Sequence, residues 1–524
     1  MNFQQVERPG HERSPIGSAV AIQLAADGDE RIRLDPGTRR SRYATASTPQ
    51  PGEIFLSSST ASTITPRAFR AVEAAWAAMA GASGGPAPYL ELWFDGLRAR
   101  LGALFGIAGS SVVLAGSGTE AELIALAIAR SIVPGPFTNI VVAPAETGSG
   151  VLRAAAGRHF LDSTPLGGEC RAGDPLGGWA DDDVAVASVE IRDPRGELRS
   201  SGDVDAEARR LAFAAVDAGR GVLLHRLDTS KTGRSGLAGA VAAQIMASAP
   251  ERTVVLVDCC QLRCSRRHIR RYLSRGFMVA ITGSKFFGGP PFSGALLLPP
   301  RMLRRIRTLA LPAGLADYSA RLDWPAELRA KSPALWARDA NLGLGLRWVA
   351  ALDEMDRFYD LPGAMRREIL TRFEQTIRVR AQSIDNLHLI GGDLNASNGE
   401  RSSILCFSMS HPCGAPFSAA ETAAILAHLR QPRSSPPENP AAGLSWHLGQ
   451  TVAIGARSAL RVCASAPIVS DIAGRIEAGD SLDQAFAPWD GIMGALFETW
   501  GGLIREASAR RDEAQTPILT APAA

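Results

Sequence analysis

One stretch does most to limit what this chain can fold into: residues 253–300, TVVLVDCCQLRCSRRHIRRYLSRGFMVAITGSKFFGGPPFSGALLLPP. Its apolar run, Thr253 to Val257, ends in a lone acid, Asp258, with Gln261 shortly after. A basic helical pattern follows, and then a second apolar run, Phe277 to Ile281. That run ends in Thr282-Gly283-Ser284-Lys285, ahead of a glycine-rich turn and a third run, Gly294 to Leu298. Short apolar runs bounded by polar and glycine-rich turns read as buried strands. An acid and a lysine thus stand at the ends of two strands of one sheet, which is where ligands bind in open α/β sheets.

The strand–helix alternation extends in both directions. Ser111–Leu114 reads as a short strand running into Ala115-Gly116-Ser117-Gly118-Thr119-Glu120-Ala121-Glu122 and an apolar helix, Leu123–Ile132. Thr119 and Glu122 have capping-box spacing, which puts the helix start near Thr119. Further strands are expected at Asn139–Ala143, Val184–Glu190 and Gly221–His225, with helices at Val204–Ala218 and Leu237–Ala249. This pattern predicts an α/β domain with a mostly parallel sheet and helices on both faces. A helix from Asn341 to about Phe358 bridges to a smaller α+β domain. There Ser403–Met409 and Ser458–Cys463 read as strands, and 441–456 as a loop.

At 524 residues the chain exceeds one small core, and five parts are expected. They are a disordered extension (1–50), a segment packing on the small domain (51–81), the large domain (82–345), the small domain (346–508) and a disordered tail (509–524). The extension is rich in Arg, Gly, Pro, Ser and Thr and lacks periodicity. The formal charge of +3, from 56 basic and 53 acidic residues, is too balanced to indicate nucleic acid or a membrane. The basic run Arg263–Arg275 reads as a solvated helix face or a subunit contact. Seven irregularly spaced cysteines fit thiols in a reducing compartment. With no apolar segment of membrane-spanning length and no signal-peptide core, the expected location is cytoplasmic.

The glycine loop has three readings. Gly116-x-Gly118-x-x-Ala121 formally matches a dinucleotide fingerprint, although Glu146, the nearest acid after the next strand, is far for the ribose role. A phosphate monoester at the helix N-terminus needs no such acid. A turn without ligand is the third. Asp258 alone could cap a helix, and Lys285 alone could be a solvated lysine. Together with a phosphate loop in the same sheet, they match what pyridoxal phosphate requires. A lysine amine bonds to the cofactor aldehyde, an acid keeps the ring nitrogen protonated, and amides and hydroxyls hold the phosphate.

These motifs together resemble the class V aminotransferase group of fold-type I pyridoxal phosphate enzymes, which includes the cysteine desulfurases. The family's Asp-Ala-Ala-Gln is matched by Asp258-Cys259-Cys260-Gln261, and its Ser-Gly-His-Lys by Thr282-Gly283-Ser284-Lys285. Its loop ending in Thr-Glu-Ala is matched by Ser117 to Ala121, and its Ser-Asn-x-Thr-Gly by Thr229-Ser230-Lys231-Thr232-Gly233. The resemblance covers roughly residues 54–505 in the family's order.

The resemblance implies a fold-type I homodimer with a large domain and a smaller α+β C-terminal domain. Lys285 would be the Schiff-base lysine, Asp258 the partner of the pyridinium nitrogen, and Gln261 a neighbour of the phenolic oxygen. Ser117, Gly118, Thr119, Thr282 and Ser284 would hold the phosphate. Thr147 stands where many relatives stack a histidine on the ring, and Ser230 where they have asparagine. Arg461 would clamp a substrate carboxylate, His447 would be a substrate-side acid or base, and Asn341 would reach the partner subunit's cofactor. No metal is expected.

The implied chemistry is at the α-carbon of an amino acid or related amine. Transamination is the first expectation, and a C–S or other elimination lyase the alternative. Desulfuration is disfavoured because Cys413 is the only cysteine between the Ser403–Met409 strand and the Arg461 segment. A degenerate member that binds without turnover and a dinucleotide-dependent oxidoreductase are the competing classes.

Overall fold

The computed structural model describes residues 15–81, 86–332, 336–390, 403–432 and 443–515. A seven-stranded sheet forms the large domain. Its strands are β2 (Val112–Ala115), β3 (Phe137–Val142), β4 (Val184–Val189), β5 (Gly221–Leu227), β6 (Thr253–Cys259), β7 (Met278–Thr282) and β8 (Gly294–Leu297), preceded in the chain by β1 (Glu53–Leu56). The spatial order is β2-β8-β7-β6-β5-β3-β4, with β8 antiparallel to both neighbours and the remaining pairs parallel. All but the edge strand β4 are buried on both faces, which explains why they read as near-continuous apolar runs.

Successive side chains point to opposite faces. Val254, Leu256, Met278 and Ala280 therefore pack into one core with the helix Gly118–Ile132. Val255, Val257, Val279 and Ile281 join the other core, built on the helices Ser201–Asp217, Gly239–Ser248 and Arg266–Ser274.

The second sheet is small-domain material joined by the early strand. It comprises β9 (Leu387–Leu389), β10 (Ile404–Met409), β11 (Ser445–Ile454) and β12 (Arg457–Cys463), in the order β1-β11-β12-β10-β9. β1 runs parallel to β11, so β11 is a strand where a loop was expected over 441–456. The alternation was hard to see because β11 carries His447 and Gly449 amid its apolar residues and has an irregular register with β12 between Gly449 and Val452. The last helix, Leu482–Gln515, runs past residue 509, where the disordered tail was expected to begin.

The extension expected to be disordered over 1–50 is ordered from Pro15. A helix, Pro15–Ala25, buries Val20 and Leu24. Arg347, fully buried in the helix Leu342–Asp360, donates to the carbonyls of Leu24 (3.2 Å), Ala26 (2.8 Å) and Asp27 (3.2 Å), and to that of Phe292 (2.8 Å). Carbonyls at a helix C-terminus lack intrahelical partners, and Arg347 supplies them. The arm is held by a residue more than three hundred positions away (|i−j| of 321 for Ala26), so nothing local in its sequence announces it. Among the described residues no helix is long and apolar enough to cross a membrane.

Candidate active site

Three elements meet at the C-terminal ends of β6 and β7. The first is the turn leading into the Gly118 helix. Ser117, in extended conformation (φ −143°), is its N-cap and accepts the Glu120 N–H at 3.3 Å. The cap is therefore Ser117, not Thr119, which sits inside the first turn. The N–H groups of Gly118 and Thr119 point out of the helix end without intrahelical acceptors, as in other anion sites. A Cβ on Gly118 would lie 2.5 Å from Cys260 Sγ and 3.8 Å from Thr282 Cγ2. Only glycine lets this turn lie against the ends of β6 and β7.

The second element is the end of β6. Asp258 Oδ1 accepts the Cys260 N–H at 2.9 Å, and Thr282 Oγ1 donates to the Cys260 carbonyl at 2.7 Å. Thr282 thus braces the backbone between the two strand ends. The Cys260 thiol is pushed well above its ordinary pKa, by burial first and then by the Asp258 charge, which disfavours the thiolate. The third element is the turn after β7, where Ser284 is buried and Lys285 half-buried.

Two expected cofactor residues are engaged elsewhere. Gln261 donates Nε2 to the Ser59 carbonyl at 3.0 Å, and its Oε1 takes a longer contact from Arg263. Ser230 donates its hydroxyl to Glu146 Oε2, as does Thr232, while Arg192 Nε binds Glu146 Oε1 at 2.5 Å. Lys231 N–H donates to the Glu146 carbonyl at 3.0 Å. Glu146 is thus the buried anchor of the Ser230 turn, a role that no motif in the sequence marks. Thr147, whose hydroxyl turns back to the Pro144 carbonyl at 2.9 Å, precedes Gly148, and a Cβ on Gly148 would come within 3.2 Å of Thr119 Oγ1. The Thr147 loop therefore lines the helix-terminus side of the site.

Arg461 is buried on β12. It donates to the Gln450 carbonyl (3.2 Å through Nε, 2.7 Å through Nη2) and to Thr60 Oγ1 (3.1 Å), leaving Nη1 buried without a partner. Lys231 lies in the turn after β5, beside Ser230. Burial, followed by the positive charges of Arg461 and Lys285, lowers its pKa to about 8.

Two expected site residues lie apart. His447 stacks on Phe55 across the β1–β11 pair, with ring centroids 4.2 Å apart, and faces Glu53. Burial and the charges of Arg430 and Arg40 depress its pKa to about 3. His447 thus sits on a strand paired with β1, where a loop was expected, and its ring packs on Phe55. Asn341 caps the helix Leu342–Asp360, accepting the Leu344 N–H at 2.8 Å, and its amide donates to the Asp27 carbonyl at 3.2 Å. The ordered arm takes up its hydrogen bonds within the chain, so it is not exposed for a partner subunit.

Basic residues expected on a solvated face also do internal work. Arg263 reaches from the β6 turn to Ser58 Oγ (2.8 Å) and the carbonyls of Ala464 (3.1 Å) and Ser403 (3.3 Å), tying the two sheets together. From the arm, Arg31 pairs with Asp29 at 2.6 Å and donates to Ser117 Oγ at 3.2 Å behind the glycine turn. Burial outweighs that cation at the neighbouring Glu120, whose pKa rises to about 8. The ligand atoms of Asp228, Cys259 and Cys264 lie within 4.8 Å of one another. Tyr272 (2.7 Å) and Arg226 (3.5 Å) already hold the Asp228 carboxylate, and Cys259 points to the face opposite Asp258, so this is a buried polar knot outside the site.

Among solved structures, similar architecture occurs in a NifS-like protein, 13% identical, covering 88% of this chain and 99% of that one, with a TM-score of 0.50. An apo cysteine desulfurase from Thermococcus onnurineus is 14% identical, with coverage of 85% and 94% and a TM-score of 0.50. A C-DES variant with glycine covalently linked to its PLP cofactor is 13% identical, with coverage of 88% and 99% and a TM-score of 0.50. The chain has the cysteine desulfurase-like, fold-type I fold. In this chain β8 is inserted antiparallel beside β2, and the acid and the lysine stand at the ends of adjacent strands. No family model and no curated protein matches the sequence.

Proposed function

We propose that the chain is a pyridoxal phosphate-dependent enzyme acting at the α-carbon of an amino acid, and that it eliminates a side-chain group. The observation that carries this reading is the meeting of Lys285, Asp258 and the Gly118 turn at one end of the sheet. The residues fit the cofactor. The missing Cβ of Gly118 keeps the helix-terminus cradle tight against Cys260 and Thr282, two N–H groups face outward, and the buried Arg461 Nη1 awaits an anion. Lys285 would hold the cofactor covalently, Asp258 would meet its ring nitrogen, and Gly118, Thr119 and Ser284 would face its phosphate. When bound, the cofactor draws electrons from the α-carbon of an attached amino acid.

The chain's own residues supply the rest. Lys285, a primary amine at the end of β7, would be the base that removes and returns the α-proton. Gln450 and Thr60 fix the plane of the Arg461 guanidinium, so that its free edge meets the substrate carboxylate. Thr147 offers no aromatic face for a ring to stack on, so Asp258 would be the residue that holds it.

Elimination is favoured over transamination by the company the fold keeps, since desulfurases and C-DES share it. A sulfur relay through a protein thiol is not supported. The β11 strand ahead of Arg461 has no cysteine, and Cys413 is exposed on the turn after β10. Protein loaded with pyridoxal phosphate should be yellow, and borohydride should fix the cofactor on Lys285, as located by peptide mapping. With the right substrate, keto acid and ammonia should form without an added keto-acid acceptor. Lys285→Ala protein with full turnover would refute the assignment, and an absolute need for an acceptor would restore the aminotransferase reading.

A further inference from the structure

We propose that the N-terminal arm is a working part of the cofactor site, with Arg31 as a positioning residue. It sets the glycine turn, and the loop after Lys285, for the cofactor phosphate. This rests on the proposed function and adds to it a segment ahead of the stretch that carries the resemblance. The geometry of Arg31 is itself fixed. It donates Nε to Asp29 Oδ1 at 2.9 Å and Nη2 to Asp29 Oδ2 at 2.6 Å, a two-point grip that sets the guanidinium plane. From that plane Nη2 reaches Ser117 Oγ at 3.2 Å and Glu120 Oε1 at 3.4 Å. Ser117 is the N-cap of the Gly118 helix and Glu120 lies in its first turn. The contacts thus fall on the residues that aim the outward-facing N–H groups of Gly118 and Thr119.

The same guanidinium reaches the other half of the site. It lies over the Phe292 ring, 4.7 Å from the centroid, with Phe160 also in range at 5.2 Å. Phe292 belongs to the loop between Lys285 and β8, and its backbone is left-handed (φ 71°), a conformation unfavourable for a bulky residue. Its ring is a wedge. A Cβ on Gly116, in the glycine turn, would lie 2.8 Å from Phe292 Cδ1, and one on Gly28, in the arm, 3.3 Å from the same atom. Arg347 closes the set by donating to the carbonyls of Phe292 and Ala26, both at 2.8 Å. A strained residue persists only where its surroundings over-determine it, and such residues gather at ligand sites. Here the arm supplies part of those surroundings. Buried charge is a poor source of stability, and the arm helix already docks through Val20 and Leu24. The network of Asp29, Arg31 and Glu120 is accounted for by what it fixes, the phosphate end of the site.

The test compares pyridoxal phosphate with pyridoxal, which has the same ring and aldehyde but no phosphate. Cofactor-free protein is titrated with each, and binding is read from absorbance. Arg31→Met should weaken pyridoxal phosphate about tenfold, the scale of one charge-assisted contact, and pyridoxal less than about twofold. Asp29→Asn/Arg31→Met, which leaves no unpaired acid at position 29, should show the same selective loss. Coupling between two sites is reciprocal. Pyridoxal phosphate should therefore slow amide hydrogen exchange in residues 27–33 of the unaltered protein, and by more than pyridoxal does. The helix Ala419–Leu429, in the small domain, serves as the reference.

Equal weakening of both ligands by Arg31→Met, or an unaltered affinity for pyridoxal phosphate, overturns the inference. So does exchange in residues 27–33 that pyridoxal phosphate leaves unchanged. That last measurement needs no variant, so it decides the matter if the substituted proteins fail to fold. In each of these cases a yellow protein with the cofactor fixed on Lys285 leaves the proposed function standing. Protein that takes up no pyridoxal phosphate refutes the function, and the inference with it.

Discussion

Replacing Gly118 by alanine probes the joint between the helix-terminus cradle and the strand ends. The new Cβ would sit 2.5 Å from Cys260 Sγ and 3.4 Å from Cys260 Cβ. Ordinary contacts between such atoms need roughly 3.5–4.0 Å, so the sulfur must retreat by about 1 Å or more. Cys260 has little freedom to do so, because Asp258 holds its N–H and Thr282 its carbonyl. Overpacking of this kind costs about 1–3 kcal/mol. The same displacement moves the turn away from the cofactor phosphate, and a loss of about 1.4 kcal/mol there means tenfold weaker binding. The assays are urea denaturation and titration of cofactor-free protein with pyridoxal phosphate. Removing the offending sulfur should rescue the defect. In Gly118→Ala/Cys260→Ala the two effects should be non-additive, by about 1 kcal/mol or more in the favourable direction. A Gly118→Ala protein with unaltered stability and affinity, or a double variant with additive losses, would refute the packing argument.

Two further outcomes are expected. His447 has a folded-state pKa of about 3, below its ordinary value of 6.5, because burial excludes the charged form. The folded state therefore binds fewer protons than the unfolded one. The contribution of His447 is complete above about pH 6.5 and is lost as pH falls toward 3. His447→Gln should flatten the fall in denaturation midpoint across that window, and an unchanged slope would count against it. Arg347→Met should strip four carbonyls of their charged donor, costing about 3 kcal/mol or more, and should speed tryptic cleavage at Arg31 and Arg33. Unchanged cleavage would mean that the arm is held by its apolar contacts alone.

The placement of the candidate residues was legible where it is local in sequence. Asp258 and Lys285 end apolar runs, and each run's length and flanks reveal a strand whether or not its neighbours are known. Gly118 was legible for the same reason. Glu146 was not, because its role is to gather Arg192, Ser230 and Thr232 from three different segments, and a single acid after a strand has many uses. The arm was opaque because its helix is apolar nearly all round and is completed by Arg347. β11 was hidden by its polar and glycine positions, and with it the true setting of His447. For Gln261 and Asn341 the residue types match the resemblance, and the structure adds what the sequence did not show: each amide donates to a backbone carbonyl within the chain.

The pairing of β1 with β11 sets an order of assembly during synthesis. The large sheet has all its strands once residue 297 has left the ribosome, because β8 fills the gap between β7 and β2. The edge strand of the small sheet, made at residue 53, waits for its partner at residue 445. Arg461 and its brace Gln450 arrive only then, and the Ala466 N–H closes on the Phe286 carbonyl beside Lys285 at 2.7 Å. A nascent or truncated chain can therefore present the lysine, the acid and the helix terminus without the arginine. Lys285, Asp258 and the Gly118 turn are thus made well before Arg461, and the two halves of the proposed site are completed at different times in synthesis.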